Sequence, residues 1–392
     1  MKRKKNIVFV SISSDMYGSS KVLLFLVRRL KEESSAYNPI VCMPYEEGPL
    51  KEILRAEGID MIEMPVVKLT RSMLKSFGVF TLAKEYFKAK KTFKKATKNL
   101  DIACIQSNTL ATMFGGIYCF FRKKKHIVHV HEIMDRPKAA QFFFKNYLRF
   151  FANHIVYNSV ATQEFYNGIC PSLQKKSVTI VNGVDNTTPP LSKDDRINKR
   201  KELFNASEDD LLIGLVGRIN RLKGHTLLLN SFKKLSSSYP KAKLCFIGSP
   251  PPNQEFFLSN LKETISDLDL TDKVAFLDFQ ETIFPVLESL DIVTVPSTEP
   301  ESFGLIVVEA MLAKKLVVAS KIGGISTILE DEKTGLFFEP NNEEDFTKAL
   351  IKAMENPILK QKIENNAYTA AVDQFSITTM YTKFKKFYSQ IL

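Results

Sequence analysis

Ten short apolar runs, each followed by a longer amphipathic stretch, constrain this chain more than any other feature. The first five are "NIVFVSI", "NPIVCMP", "DIACIQS", "HIVHVHE" and "HIVYNS". After a break come "LLIGLVGRI", "KLCFIGS", "KVAFLDF", "DIVTVPS" and "KLVVASK". Runs this short, rich in β-branched and apolar residues, read as strands buried on both faces, and the segments between them are long enough for a helix. Parallel strands need a crossover of that length, so the pattern predicts helix-flanked parallel sheets. At "NTTPPLSKDDR", Asn186 to Arg196, paired prolines and polar residues interrupt it as an interdomain linker would. A chain of 392 residues suits two domains of roughly 180 residues each. The expected division is residues 1–188, residues 189–374, and a closing stretch, 375–392. In that stretch Met380, Phe384, Phe387 and Leu392 fall on roughly helical spacing and mark a helix that packs back on the first domain.

Charge separates the halves. Residues 1–190 hold 30 Lys and Arg against 15 Asp and Glu; the whole chain holds 55 against 43, which leaves the second half slightly acidic. A basic first domain calls for an anionic partner: a phosphorylated substrate, acidic lipid or nucleic acid. Hydrophobic residues make up 44% of the chain, yet no apolar run reaches the length of a membrane span. Five scattered cysteines without a C-x-x-C pair suggest neither a disulfide framework nor a zinc site, and fit a reducing cytoplasm. The opening "MKRKKNIVFVSISSDMYG" imitates a signal peptide, but its apolar run is short and leads into polar residues, so it reads as a first strand.

Ligands of open parallel sheets bind beyond the carboxyl ends of the strands, so the loops after strands carry the candidates. "GLVGRINRLKG" sets Arg218 and Lys223 five residues apart between Gly217 and Gly224, a clamp for a diphosphate or, more plainly, a solvated turn with two cations. "STEPESFGLIVVEAM" predicts a loop and then a buried helix starting near Phe303. The amides of Phe303, Gly304, Leu305 and Ile306 at such a terminus favour an anion. Glu301 and Glu309 bracket that position and are suited to accepting hydrogen bonds from hydroxyls, those of a sugar and of a ribose. His131 follows the run "HIVHV" at a strand end, where histidines are more often structural than catalytic; Glu132 beside it is a lesser candidate.

Glu301 and Glu309, embedded in "PSTEPESFGLIVVEAM…VVAS", resemble the E-x7-E signature of the retaining glycosyltransferases of family 4. "GRINRLKG" is similar to that family's G-R-x-x-x-x-K-G in register, "VNGVD" to the segment closing its first domain, and "GGISTILEDEKTGLFFEP" to the stretch after the paired glutamates. The likeness runs along nearly the whole chain. It implies the GT-B architecture: an α/β protein of two Rossmann-like parallel-sheet domains facing a central cleft. It also implies roles. Arg218 and Lys223 would hold the donor diphosphate, with Gly217 giving close approach; Glu309 would take the nucleotide ribose and Glu301 the hydroxyls of the transferred sugar. Phe303 to Ile306 would offer amides to the phosphates, and His131 would contact the donor sugar beside the reacting carbon. Gly18 and Ser19, in "MYGSSKVLL", stand where the family usually has a glycine pair near the phosphates, and Ser326 and Thr327 replace its usual proline and glutamate.

The resulting expectation is a retaining glycosyltransferase, cytoplasmic or peripheral on the inner face of the membrane. Its donor would be a UDP- or GDP-sugar and its acceptor a glycan or lipid-linked glycan of polysaccharide biosynthesis, with Glu301, His131, Arg218 and Lys223 catalytic. With no D-x-D-like motif at a strand end, no metal and no cofactor are expected. The rivals are a sugar-nucleotide epimerase on the same double sheet and a nucleic-acid-binding protein; the basic half lacks a recognition motif for the latter. In "TLAKEYFKAKKTFKKATKNL" an apolar stripe (Leu82, Tyr86, Ala89, Phe93, Ala96, Leu100) accompanies a lysine stripe (Lys84, Lys88, Lys91, Lys95, Lys98). It reads as a helix with a solvated outer face, or as one lying on anionic lipid. "QFFFKNYLRFFANH" carries aromatics on too many faces for one stripe and suits either deep burial, the plainer reading, or partial insertion at a membrane interface.

Overall fold

The structure, a computed structural model, describes residues 4–33, 36–67 and 78–392. The chain divides into two compact units: Met1–Gly183 with Ile377–Leu392, and Val184–Ser376.

Unit 1 holds strands β1 (Lys5–Val10), β2 (Tyr37–Met43), β3 (Asp60–Glu63), β4 (Ile102–Asn108), β5 (Lys125–Val130), β6 (His154–Tyr157) and β7 (Ser177–Thr179). They form one parallel sheet in the order β3-β2-β1-β4-β5-β6-β7. Ile7, Val8 and Phe9 of the central β1 are fully buried, as a strand covered on both faces requires. Between the strands run α1 (Gly18–Glu33), α2 (Pro49–Ala56), α3 (Gly78–Ala96), α4 (Met113–Arg122), α5 (Lys138–Phe151) and α6 (Val160–Ile169). Crossovers are right-handed, and the strand order reverses between β1 and β4, so α1 and α2 cover one face and α3 to α6 the other. The second face is packed largely with aromatic rings, Phe93 lying 5.2 Å from Phe114 and 5.0 Å from Tyr118 between centroids.

Unit 2 begins with α7 (Lys193–Phe204), then β8 (Leu211–Val216), α8 (His225–Leu235), β9 (Ala242–Ile247), α9 (Phe256–Asp267), β10 (Val274–Leu277), α10 (Phe284–Ser289), β11 (Ile292–Val295), α11 (Leu305–Leu312), β12 (Leu316–Ser320), β13 (Leu336–Phe338), α12 (Glu343–Glu355) and α13 (Pro357–Phe375). Its sheet, β10-β9-β8-β11-β12-β13, is again parallel, and its order reverses between β8 and β11.

The last helix, α14 (Ile377–Ile391), returns to unit 1 and packs beside α1. It supplies cover that α1 and α2 do not reach: Phe384 lies 5.3 Å from the His129 ring, and the buried Tyr388 hydroxyl donates to Gln106 Oε1 at 2.7 Å.

The structure departs from the sequence reading in several places. Strands β3, β7 and β13 carry no apolar run long enough to announce them. The expected linker is in part helix, because Ser192 caps α7 by accepting from the Asp195 amide. Helix α11 starts at Leu305, two residues later than expected, since Gly304 holds φ 102° outside the helical region. Helix α5 is core on one side only: Phe144, Tyr147 and Leu148 are buried, whereas Phe142 and Phe150 are 64% and 60% exposed.

Candidate active site

In unit 2 the two loops that open at the sheet's reversal point, after β8 and after β11, carry the residues singled out in sequence. Gly224 fixes their approach. It holds φ 75°, and a Cβ there would lie 1.9 Å from the Pro296 carbonyl oxygen. Only glycine permits that contact. Lys223 is thereby set against the β11 loop, its stem crossing over Gly217, where an added Cβ would meet Lys223 Cε at 3.3 Å. Its ammonium reaches Glu301 Oε1 at 2.8 Å. The Ser297 hydroxyl donates to the same oxygen. Burial would raise the Glu301 carboxyl, but the Lys223 charge and the two hydrogen bonds outweigh it and hold the group below the usual carboxylate range. Arg218 lies on the same β8 loop, half-buried.

Glu301 leads into the start of α11, where Phe303 is buried and Gly304 caps in the left-handed region. The first amides of a helix have no acceptor within it, so this terminus presents donors to an anion. Glu309 is buried farther along α11. Two glycines beyond β12 hold the Glu301 loop from behind. A Cβ on Gly323 would lie 2.5 Å from the Glu301 carbonyl oxygen, one on Gly324 would lie 2.4 Å from that of Ser302, and the Gly324 amide donates to the Glu301 carbonyl at 2.7 Å. Unit 2 thus brings Gly217, Arg218, Lys223, Glu301, Phe303, Gly304, Leu305 and Ile306 onto two adjacent loops and one helix start. A cavity of about 660 Å³ lined by Arg196, Glu288, Lys315 and Tyr368 opens at the opposite ends of these strands, before β11 and β12, away from these loops.

In unit 1 the reversal point lies between β1 and β4. Gly18 and Ser19 open α1 there, and the Asn108 side-chain amide at the end of β4 donates to the Ser19 carbonyl at 3.1 Å. The sequence reading missed Asp15. Its carboxylate accepts from the Tyr17 amide and the Ser20 hydroxyl, both at 3.2 Å, and so places a negative charge at the start of α1. His131 stands one residue past β5, buried, with its ring 4.0 Å from that of His129. Burial lowers its pKa to about 3, so the imidazole is neutral across the physiological range. Glu132 fastens the loops after β4 and β5 together, its Oε2 accepting from the Leu110 and His131 amides at 3.2 and 3.1 Å. Burial raises its pKa to about 7 in spite of these two bonds.

Paired parallel-sheet units with loops of this kind define the GT-B fold, and solved structures agree. The chain aligns over 98% of its length with 99% of an Anabaena protein, Alr3699/HepE, described in complex with UDP-glucose, at 21% identity and a TM-score of 0.83. It aligns over 97% of its length with 99% of Staphylococcus aureus TarM, described in complex with UDP, at 14% identity and a TM-score of 0.69. At these identities the likeness shows the fold. In sequence, residues 195–370 match the family model of glycosyl transferases group 1. Among curated relatives, a D-inositol 3-phosphate glycosyltransferase of Mycobacteroides abscessus is 33% identical over 149 residues, 38% of this chain and 32% of the relative. An uncharacterized glycosyltransferase of Methanocaldococcus jannaschii is 29% identical over 188 residues, 47% of this chain and 46% of the relative. The chain thus spans less than half the length of the curated relatives it matches.

Proposed function

We infer that this protein is a retaining, metal-independent glycosyltransferase that moves a sugar from a UDP- or GDP-sugar to a hydroxyl of a lipid-linked or cell-surface glycan intermediate. The observation that carries the reading is the Lys223–Glu301 contact at the start of α11. It sets a cation for the diphosphate beside a carboxylate for sugar hydroxyls, next to free helix-end donors. The UDP-glucose bound by the Anabaena protein and the match of residues 195–370 support the donor class.

In this reading Arg218, Lys223 and the amides from Phe303 to Ile306 receive the diphosphate and stabilise the charge it gains as the bond to the sugar breaks. Glu309 accepts from the ribose hydroxyls and Glu301 from those of the sugar. The neutral His131 is in a state to accept or donate a hydrogen bond at the sugar without adding charge. The acceptor oxygen attacks the anomeric carbon on the face the phosphate leaves, and its proton passes to the departing phosphate oxygen, so configuration is retained and no protein carboxylate forms a covalent intermediate.

Incubation of the purified protein with each UDP- and GDP-sugar tests the reading. Slow release of nucleoside diphosphate from one donor, undiminished by EDTA, is the expected result. Conversion of a donor to its epimer would favour the epimerase instead. The named activity of the first relative also makes inositol phosphate a soluble acceptor to include.

A further inference from the structure

Helices α3, α4 and α5 lie side by side on one face of the unit 1 sheet, joined by Phe93 against Phe114 and Tyr118 and by Phe120 against Phe151, 5.2 Å between centroids. Their inner faces are core. Their outer faces combine two features that solvated helices seldom share. Phenylalanines point into solvent: Phe80 is 75% exposed, Phe121 70%, and Phe87, Phe120, Phe142 and Phe150 more than half. The only carboxylate in the three helices is Glu85, while Lys84, Lys88, Lys91, Lys94 and Lys95 stand exposed on α3, joined by Arg122 and Arg149. Rings and cations are interleaved. Lys90 Nζ lies 5.7 Å from the Phe87 centroid, Lys145 Nζ 5.0 Å from that of Phe142, and Arg149 Cζ 5.3 Å from that of Phe150. Exposed rings spread over three helices exceed what a solvated face needs. The same rings would sit at the acyl boundary of a bilayer, with the cations among lipid phosphates.

We propose that the outer face of α3, α4 and α5 docks on an anionic lipid surface, phenylalanines entering the interface and lysines and arginines holding the headgroups. Charge complementarity selects this occupant. A face with one carboxylate suits a sheet of phosphates, and its rings stand on the outside of a helical layer rather than along a groove that would track a single strand of nucleic acid. No helix among the described residues is long and apolar enough to cross a membrane. Attachment through the cations of this face is salt-sensitive. The inference gives a location to the lipid-linked acceptor proposed above and rests on that reading for its purpose, but the residues that argue for it are other ones.

The test is flotation of the full chain with vesicles of phosphatidylcholine alone or mixed with phosphatidylglycerol, at low and high salt, alongside calorimetric titration of UDP. One variant changes Lys84, Lys88, Lys91 and Lys95 to Gln; another is Phe120→Ser with Phe150→Ser. The wild type should float with the anionic vesicles only. The lysine variant should lose about tenfold or more in partition at low salt, the phenylalanine variant should lose what binding persists at high salt, and both should bind UDP as the wild type does. Absence of wild-type binding at low salt, equal binding to both vesicle types, variants that float like the wild type, or displacement by an equal charge of single-stranded oligonucleotide would overturn the proposal. Vesicle binding without UDP binding would sink the donor reading and leave the docking face standing.

Discussion

At the scale of single residues, Lys223 and Glu301 form a half-buried ion pair, and the proposed function gives each partner a different part of the donor to hold. Arg218, on the same loop as Lys223, is the cleaner probe of the proposed diphosphate site. Arg218→Ala removes a charged donor, and the loss should be roughly 1.5–3 kcal/mol of UDP affinity, about ten- to a hundredfold by calorimetry. An unchanged affinity would remove Arg218 from the site. Glu132 makes a prediction in pH. Its pKa, about 7 in the fold, lies above that of an exposed carboxylate, so between about pH 4.5 and 7 the folded state binds more protons than the unfolded and stability falls as pH rises. Glu132→Gln keeps an acceptor for the Leu110 and His131 amides and has no charge to bury. Its stability relative to wild type should therefore improve from pH 5 to pH 8, by up to a few kcal/mol, in urea unfolding. Parallel curves at the two pH values would show that the carboxyl is not desolvated.

At the scale of elements, the loops after β8, β11 and β12 act as one assembly, each held by a glycine that another loop crowds. Gly324→Ala puts a methyl group 2.4 Å from the Ser302 carbonyl and 2.6 Å from Phe303 Cα, so the start of α11 has to move. The expected cost is about 1–3 kcal/mol of stability together with weaker UDP binding, read by urea unfolding and calorimetry. Wild-type affinity would mean that the helix start does not meet the diphosphate. The helix-separated strands were legible because each central strand buries an apolar run on both faces. Strands β3, β7 and β13 were not: they are edge strands of three or four residues, too short to show a period. The paired cations and glutamates of unit 2 stood out because each pair sits close together in sequence, the cations on the loop after β8 and the glutamates across the start of α11. Ser297 and Asp15 did not, since a serine or aspartate in a loop is ordinary until tertiary packing aims it. The sequence favoured core over an interfacial face for all the rings of α5, and half of them are exposed, for a similar reason. Aromatic content on several faces of a helix reports hydrophobicity and leaves the covering neighbour unspecified.

At the scale of the whole molecule, the chain leaves unit 1 at Gly183 and re-enters it at Ile377. Helix α14 gives the sheet its missing cover, with Phe384 and Tyr388 fully buried and Met380 Sδ accepting from the Gly183 amide at 3.1 Å. Residues 1–183 made alone should therefore fail to give a cooperative melt, because the side of β4 and β5 that bears Gln106 and His129 is left open. A peptide of residues 377–392 added in trans should restore the transition by binding that surface. A sharp melt of the 1–183 fragment that the peptide leaves unmoved would show that α14 contributes little.

That return visit also puts a clock on the newborn chain. At roughly 5–20 residues per second of synthesis, the stretch between Gly183 and Ile377 takes on the order of 10–40 s to emerge, and throughout that interval the first sheet has an apolar wound where α14 belongs. Unit 2, whose elements are contiguous, can finish first. The order of completion then runs against the order of translation, and a chaperone that shields the β4–β5 surface during the wait should raise the yield of native protein more than one acting on unit 2.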